Sequence, residues 1–96
     1  MVQIEHDAGS FLAFSRNISV GGMFIGTKEQ VRVGSRVKLR FPLDDGGPTV
    51  MATAEVRYAV SRVGMGLKFV DISAENRSRI DVYATKGESS VAKPDE

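Results

Sequence analysis

The chain has 96 residues, of which 42% are hydrophobic and 26% charged, and its formal net charge is +1. This composition is typical of one globular domain with a small core and excludes a disordered chain. Cysteine is absent, which excludes a disulfide framework and thiolate chemistry and fits a reducing cytoplasm. The near-zero charge argues against binding duplex DNA through a bulk field, and no apolar run is long enough to span a membrane.

Alternation of residue types with period two predicts mainly β-structure in the first half of the chain. Residues 11–15 are apolar on both faces, with Leu12 and Phe14 opposite Phe11 and Ala13, which predicts a buried strand. Residues 23–25 predict a short strand after a double glycine. Residues 27–35 are polar and predict a loop with room for one helical turn.

Three further strands are predicted between residues 37 and 69. Pro42 ends the first of them because it has no N–H for the sheet, and residues 44–48 carry a strong turn signal. Several short antiparallel strands with regular turns favour a small barrel or sandwich. The side chains expected to face inward are Val37, Leu39, Phe41, Val50, Ala52, Ala54, Val56, Tyr58, Met65, Leu67 and Phe69.

A helix is predicted from about Ala74 to about Thr85, with Ser73 as its N-cap and Glu75 in the first turn. Its buried stripe should comprise Ile80, Tyr83 and Ala84. Gly87 is a plausible stop. We therefore expect one domain over residues 1–86 and a flexible tail over residues 87–96.

Catalytic and metal chemistry have little support in the sequence. His6 is the only histidine, and a metal site needs several such ligands. Asp44 and Asp45 are better explained by turn formation than by acid–base catalysis. Ser19 lacks the strand–elbow–helix context of a hydrolase nucleophile. We expect a protein that is not an enzyme and has no metal or cofactor.

The stretch from Arg16 to Ile25 combines polar side chains with a double glycine. Asn17 and Ser19 are two residues apart and project to the same side of an extended backbone. Gly21 and Gly22 lack a Cβ and permit close approach of a planar partner. This arrangement could hold a nucleobase edge, or it could be a hairpin turn whose Asn and Ser satisfy local backbone groups, which is the commoner use.

This stretch, taken with residues 64–69, resembles the PilZ domain family. The family pattern is Asp/Asn-x-Ser-x-x-Gly early in the domain and Gly-x-Gly-x-x-Phe near its end, met here by residues 17–22 and 64–69. The similarity continues through residues 33–42, residues 55–56 and the segment 69–73 that leads to the final helix. The blocks look most like the variant abundant in myxobacteria and related deltaproteobacteria.

The resemblance implies a six-stranded antiparallel β-barrel with a C-terminal helix. It also implies a bacterial, cytoplasmic receptor for cyclic di-GMP, the second messenger that controls motility and biofilm formation. By direct match, Asn17 and Ser19 would hydrogen-bond base edges, and Gly22 would let the base lie against the backbone. Gly21, beside the motif glycine, is also expected at the ligand. Arg16 is a further candidate, because a guanidinium can bind phosphate or stack on a base.

The family's second signature, Arg-x-x-x-Arg before the first strand, is missing, because residues 1–15 contain no arginine. Val2 aligns near the start of the first strand, so such a segment would lie upstream of this sequence. Each charge-assisted phosphate contact contributes about 1.5–3 kcal/mol, and loss of two would weaken binding by roughly two or more orders of magnitude. Direct binding of cyclic di-GMP by this chain is therefore expected to be weak or absent.

Two functional hypotheses follow, with a third far behind. The first is a cyclic di-GMP receptor or effector domain. The second is a PilZ-like adaptor that ignores the nucleotide and docks an unidentified protein, as a monomer or as a dimer formed through the helix around Ile80 and Tyr83. The third, a nucleic-acid-binding barrel, rests on the basic row Arg36, Lys38 and Arg40, which solubility explains equally well. We expect no DNA and no membrane partner.

Overall fold

The computed structural model describes the backbone of residues 1–92 and side chains as far as Ala84. Six strands precede one helix in the chain. The strands are β1 (Val2–His6), β2 (Gly9–Ser19), β3 (Gly22–Gly26), β4 (Arg36–Phe41), β5 (Val50–Val60) and β6 (Gly64–Asp71), and the helix is α1 (Ala74–Ala92).

The strands form a closed antiparallel barrel in the order β1-β2-β3-β6-β5-β4. Hairpins join β1 to β2, β2 to β3, β4 to β5 and β5 to β6. Pairing of β3 with β6 and of β1 with β4 closes the ring. Closure leaves no unpaired sheet edge among the six strands. The prediction of a small six-stranded β-barrel with one C-terminal helix is confirmed.

Side-chain alternation places the core where the sequence predicts it. On β4 and β6 every predicted inward residue is buried, and the loop 27–35 contributes Val31. Val50, Ala54 and Val56 of β5 are also fully buried. No charged or polar side chain is buried in the described part of the chain. The barrel is therefore held by apolar packing inside and by strand pairing around its wall.

Two predictions about inward faces are wrong. Leu12 and Phe14 are 62% and 63% exposed, because they alternate with the buried Ala13 and so point outward. β2 therefore has one buried face and one exposed apolar face, whereas the sequence predicts that both faces are buried. Tyr58 is 53% exposed because a register shift between Val56 and Tyr58 breaks the period of two.

The N-terminus of α1 forms as the sequence predicts. The Ser73 hydroxyl accepts a hydrogen bond from the Asn76 N–H at 3.1 Å, which satisfies one of the free amides of the first turn. Ile80 is completely buried in the barrel core. Tyr83 is 38% exposed, so the predicted buried stripe is narrower than expected. Because Ile80 is enclosed by its own barrel, its side chain is not available for contacts in a helix–helix dimer.

Arg79 fastens the helix to the β4–β5 turn. Its guanidinium donates to both carboxylate oxygens of Asp45, at 2.9 and 2.8 Å, and to the Pro48 carbonyl at 2.8 Å. The Asp45 carboxylate also accepts the Gly47 N–H at 2.9 Å, as the turn interpretation predicts. These contacts, led by the hydrogen bond from Arg79, hold the pKa of Asp45 at about 2.

The helix continues to Ala92, past the predicted end near Thr85. Gly87 does not stop it, because a glycine inside a helix costs only about 1 kcal/mol relative to alanine. Residues 93–96 lie outside the described part of the chain, so the flexible tail over residues 87–96 stays a prediction. Within the described residues, no helix is both long enough and apolar enough to cross a membrane.

Candidate functional site

The outer face of β3 and β6 carries few side chains. Gly22 and Gly26 on β3 and Gly64 and Gly66 on β6 alternate with residues that point into the core. Gly26 lies directly opposite Gly64, and Gly66 lies opposite Phe24. Because these strands are neighbours, their glycines form a shallow trough on the outside of the barrel, across which the side chains of Phe24, Tyr58 and Arg16 lie.

Three of these glycines are required by close packing. A Cβ on Gly64 would overlap the carbonyl oxygen of Ile25 on the neighbouring strand. A Cβ on Gly22 would overlap the carbonyl oxygen of Leu67 on the neighbouring strand, which cannot move without separating the strands. A Cβ on Gly66 would overlap the ring of Tyr58, which lies across it. Gly21, by contrast, has only the Ser19 hydroxyl within 4 Å of such an atom, at 3.9 Å. The two glycines of the pair therefore differ in how far they tolerate a side chain.

A β-bulge positions Asn17 beside this trough. The register of β2 with β3 shifts between Ser15 and Asn17, so that Arg16 is the extra residue. Asn17 then pairs with Phe24, and its Oδ1 accepts the Phe24 N–H at 3.2 Å. This single hydrogen bond, which uses one lone pair of Oδ1, holds the Asn17 side chain in place. Its amino group has no hydrogen-bond partner among the described residues.

Ser19, like Asn17, both accepts a backbone hydrogen bond and lines the cleft. Its hydroxyl oxygen accepts the Gly21 N–H at 3.3 Å, which stabilises the turn between β2 and β3. The expectation that Asn and Ser satisfy local backbone groups is thus met at both positions. Both side chains nevertheless line one exposed cleft and retain hydrogen-bonding capacity toward it. The turn interpretation and the binding interpretation are compatible.

An aromatic pair forms the opposite side of the cleft. The rings of Phe24 and Tyr58 stack with centroids 6.1 Å apart and planes 26° apart. Phe24 is on β3 and Tyr58 on β5, with β6 between them. The rings can meet because Gly66 places no side chain between them. Period-two reasoning assigned Tyr58 to the core and so missed this wall.

Arg57 also lines the cleft and is the site of a β-bulge on β5. Val56 pairs with Leu67 and Tyr58 with Gly66, so Arg57 is the extra residue on β5. The Arg57 side chain is 52% exposed, and its Nη1 is 4.0 Å from the Glu55 carboxylate. A pair at this distance and exposure contributes little to stability. The guanidinium is therefore available to another anion.

The cleft has a volume of about 440 Å³, within the range of small-molecule sites. It brings together four of the five residues predicted from the sequence. Arg16 instead lies over Gly26, where its Nε is 2.9 Å from the position of an added Cβ. The lining residues are Asn17, Ser19, Gly21, Gly22, Met23, Phe24, Arg57, Tyr58, Gly66 and Leu67.

Other candidate chemistry does not assemble. No group of three or more His, Cys, Asp or Glu residues suitable for a metal ion occurs within the described part of the chain. His6 packs edge-on against Phe11, with ring centroids 5.5 Å apart. Asp44 and Asp45 line a different cavity, together with residues of α1. Of these candidates, the cleft lined by residues of β2 and β5 has the side chains best suited to binding a ligand.

Comparison with protein-family models now identifies the family. The PilZ domain model matches residues 1–86, which include all six strands and most of α1. The chain belongs to the PilZ domain family. The PilZ resemblance drawn from residues 17–22 and 64–69 is confirmed. PilZ domains bind cyclic di-GMP as a ligand rather than a cofactor. No curated protein and no solved structure matches the chain.

Proposed function

We propose that this PilZ domain is a non-enzymatic receptor or effector domain of cyclic di-GMP signalling, acting in pathways such as motility and biofilm control. The observation that carries the proposal is that the motif residues meet in one cleft. Asn17, Ser19 and Gly22 match the family motif and, together with Gly21, line a single exposed cleft. That cleft is the expected place for a guanine of the ligand.

The chemistry of the cleft suits a base with mixed donors and acceptors. Asn17 keeps its amino group and one lone pair of Oδ1, and Ser19 keeps its hydroxyl hydrogen. The exposed backbone at Gly21 lets a flat ring approach, whereas Gly22 is buried against Leu67. Guanine carries an acceptor, O6, where adenine carries an amino donor. The same protein groups therefore cannot bind both bases equally well.

Binding is expected to be weak. Residues 1–15 contain no arginine, so they do not supply the pair that the family uses to clamp phosphate. The ordinary gain from such charge-assisted contacts, about 1.5–3 kcal/mol each, is missing. We expect a dissociation constant for cyclic di-GMP in the range of roughly 10 µM to 1 mM, equivalent to about −7 to −4 kcal/mol.

Isothermal titration calorimetry with cyclic di-GMP and cyclic di-AMP tests the proposal. We expect saturable binding of cyclic di-GMP and at least about tenfold weaker binding of cyclic di-AMP. Ser19→Ala should weaken cyclic di-GMP binding, whereas Ser78→Ala on the helix surface should not. Absence of binding at millimolar cyclic di-GMP, or equal binding of both dinucleotides, would contradict the proposal.

One observation favours a second candidate, a nucleotide-independent protein adaptor. The exposed Leu12 and Phe14 give β2 an apolar outer face, and such faces often mark protein contacts. The variant Leu12→Ser/Phe14→Ser should then lose a defined protein partner that the wild-type domain captures without cyclic di-GMP. Partner capture that requires the nucleotide would favour the receptor instead.

A further inference from the structure

We propose that Arg57 is the cation that binds the phosphodiester of the ligand in this domain. This inference rests on the proposed receptor function and adds a role to a residue outside the family motif. Arg57 is the only charged residue among the ten that line the cleft. A cyclic dinucleotide is a dianion, so its most favourable charge contact in the cleft is with this side chain.

The bulge explains why Tyr58 lies on the same side of the barrel as Arg57. In a regular strand Arg57 would follow the buried Val56 onto the outer face and force Tyr58 inward. The bulge instead leaves both Arg57 and Tyr58 on the exposed side of the barrel. Bulges commonly redirect side chains beside functional sites. Here the redirected side chain is Tyr58, whose ring joins the outward-facing guanidinium of Arg57 in lining the cleft.

The spatial order of the lining groups fits a nucleotide. Asn17 and Ser19 on β2 lie at one end, and Arg57 on β5 lies at the other end together with the ring of Tyr58, which stacks on Phe24. β2 and β5 are separated by two strands, so three interstrand spacings of about 4.8 Å lie between them. That span accommodates a base at one end and its phosphate at the other.

Glu55 is the present neighbour of Arg57 and a weak one. The Arg57 Nη1 to Glu55 Oε1 distance is 4.0 Å, and both side chains are substantially exposed. A phosphodiester offers shorter, charge-assisted and bidentate contacts. Arg57 can therefore exchange the carboxylate for the phosphate when the ligand enters, and Glu55 acts as a mild competitor.

Calorimetric titration of the wild-type chain and three variants with cyclic di-GMP tests this role. Arg57→Gln should weaken binding about 10- to 100-fold. Arg40→Gln is the matched control, because Arg40 is an exposed arginine on β4 that lines a different cavity; it should change binding less than about twofold. Glu55→Gln should strengthen binding by up to about fivefold, a gain that a purely structural role of Arg57 does not produce.

Guanosine, which has no phosphate, separates the base contact from the phosphate contact. Arg57→Gln should leave the affinity for guanosine unchanged. Equal affinity of wild type and Arg57→Gln for cyclic di-GMP, or equal losses with guanosine and cyclic di-GMP, would overturn the inference while leaving the receptor function standing. Failure of the wild-type chain to bind cyclic di-GMP at all would overturn both.

Discussion

Ile80 is the main anchor of α1 on the barrel, and its truncation should destabilise the domain strongly. Ile80 has no exposed surface and belongs to the core cluster. Ile80→Ala removes three carbon atoms, each worth about 0.8 kcal/mol of burial, or about 2.4 kcal/mol in total. The cavity left behind raises the expected loss to about 3–4 kcal/mol. The corresponding fall in Tm is at least about 12 °C for a domain of this size.

Urea unfolding followed by circular dichroism measures this loss. Val82→Ala is the matched control, because Val82 is a β-branched residue on the same helix and is 63% exposed. It should change the free energy of unfolding by less than about 0.5 kcal/mol. A loss below about 1 kcal/mol for Ile80→Ala would show that the helix is not anchored through this side chain.

Three further changes test the double glycine, the ion pair of Asp45 with Arg79 and the ring of Tyr58. Gly22→Ala should reduce the free energy of unfolding by about 1–3 kcal/mol through overlap with the neighbouring strand, whereas Gly21→Ala should change it by less than about 0.5 kcal/mol. The Asp45 pKa is about 2 in the folded protein and near 3.8 without its contacts, so the contribution of its pair with Arg79 is present above about pH 4 and lost as pH falls toward 2. Tyr58→Ala should weaken cyclic di-GMP binding by about tenfold or more, and Tyr58→Phe should leave it nearly unchanged.

Each of these has a result that would count against it. Equal stability of the two alanine variants at the double glycine would remove the packing argument for Gly22. A wild-type chain and an Asp45→Asn variant that lose stability in parallel between pH 4 and pH 2 would show that Asp45 is not the titrating group. Unchanged ligand affinity in Tyr58→Ala would show that the ring is not in contact with the base.

Local sequence rules predicted the regular parts of the fold. The alternation on β4 and β6 specified their buried faces, because a strand with a period of two has one inward side. The Ser73 cap specified where α1 begins, since only a side-chain acceptor can satisfy the first-turn amides there. The end of α1 was missed, because a single glycine at position 87 weakens a helix without ending it.

The bulges at Arg16 and Arg57 could not be read from the sequence. Arg16 and Arg57 are each an extra residue with no counterpart on the partner strand. Nothing in the local residue types marks the insertion. Because of the β5 bulge, period-two counting put Tyr58 in the core and gave no role to Arg57. The motif residues Asn17 and Ser19 were found because their residue types and spacing are specific, while the other half of the cleft depends on strand pairing.

Amide NMR titration of the wild-type chain with cyclic di-GMP tests the central claim most directly. We expect saturating shifts of residues 17–24 on β2 and β3, together with residues 57–58 on β5 and Gly66 on β6. Residues 38–40 on β4, on another face of the barrel, should not move. Shifts centred on β4, or no shifts at millimolar cyclic di-GMP, would contradict the assignment of this cleft as the ligand site.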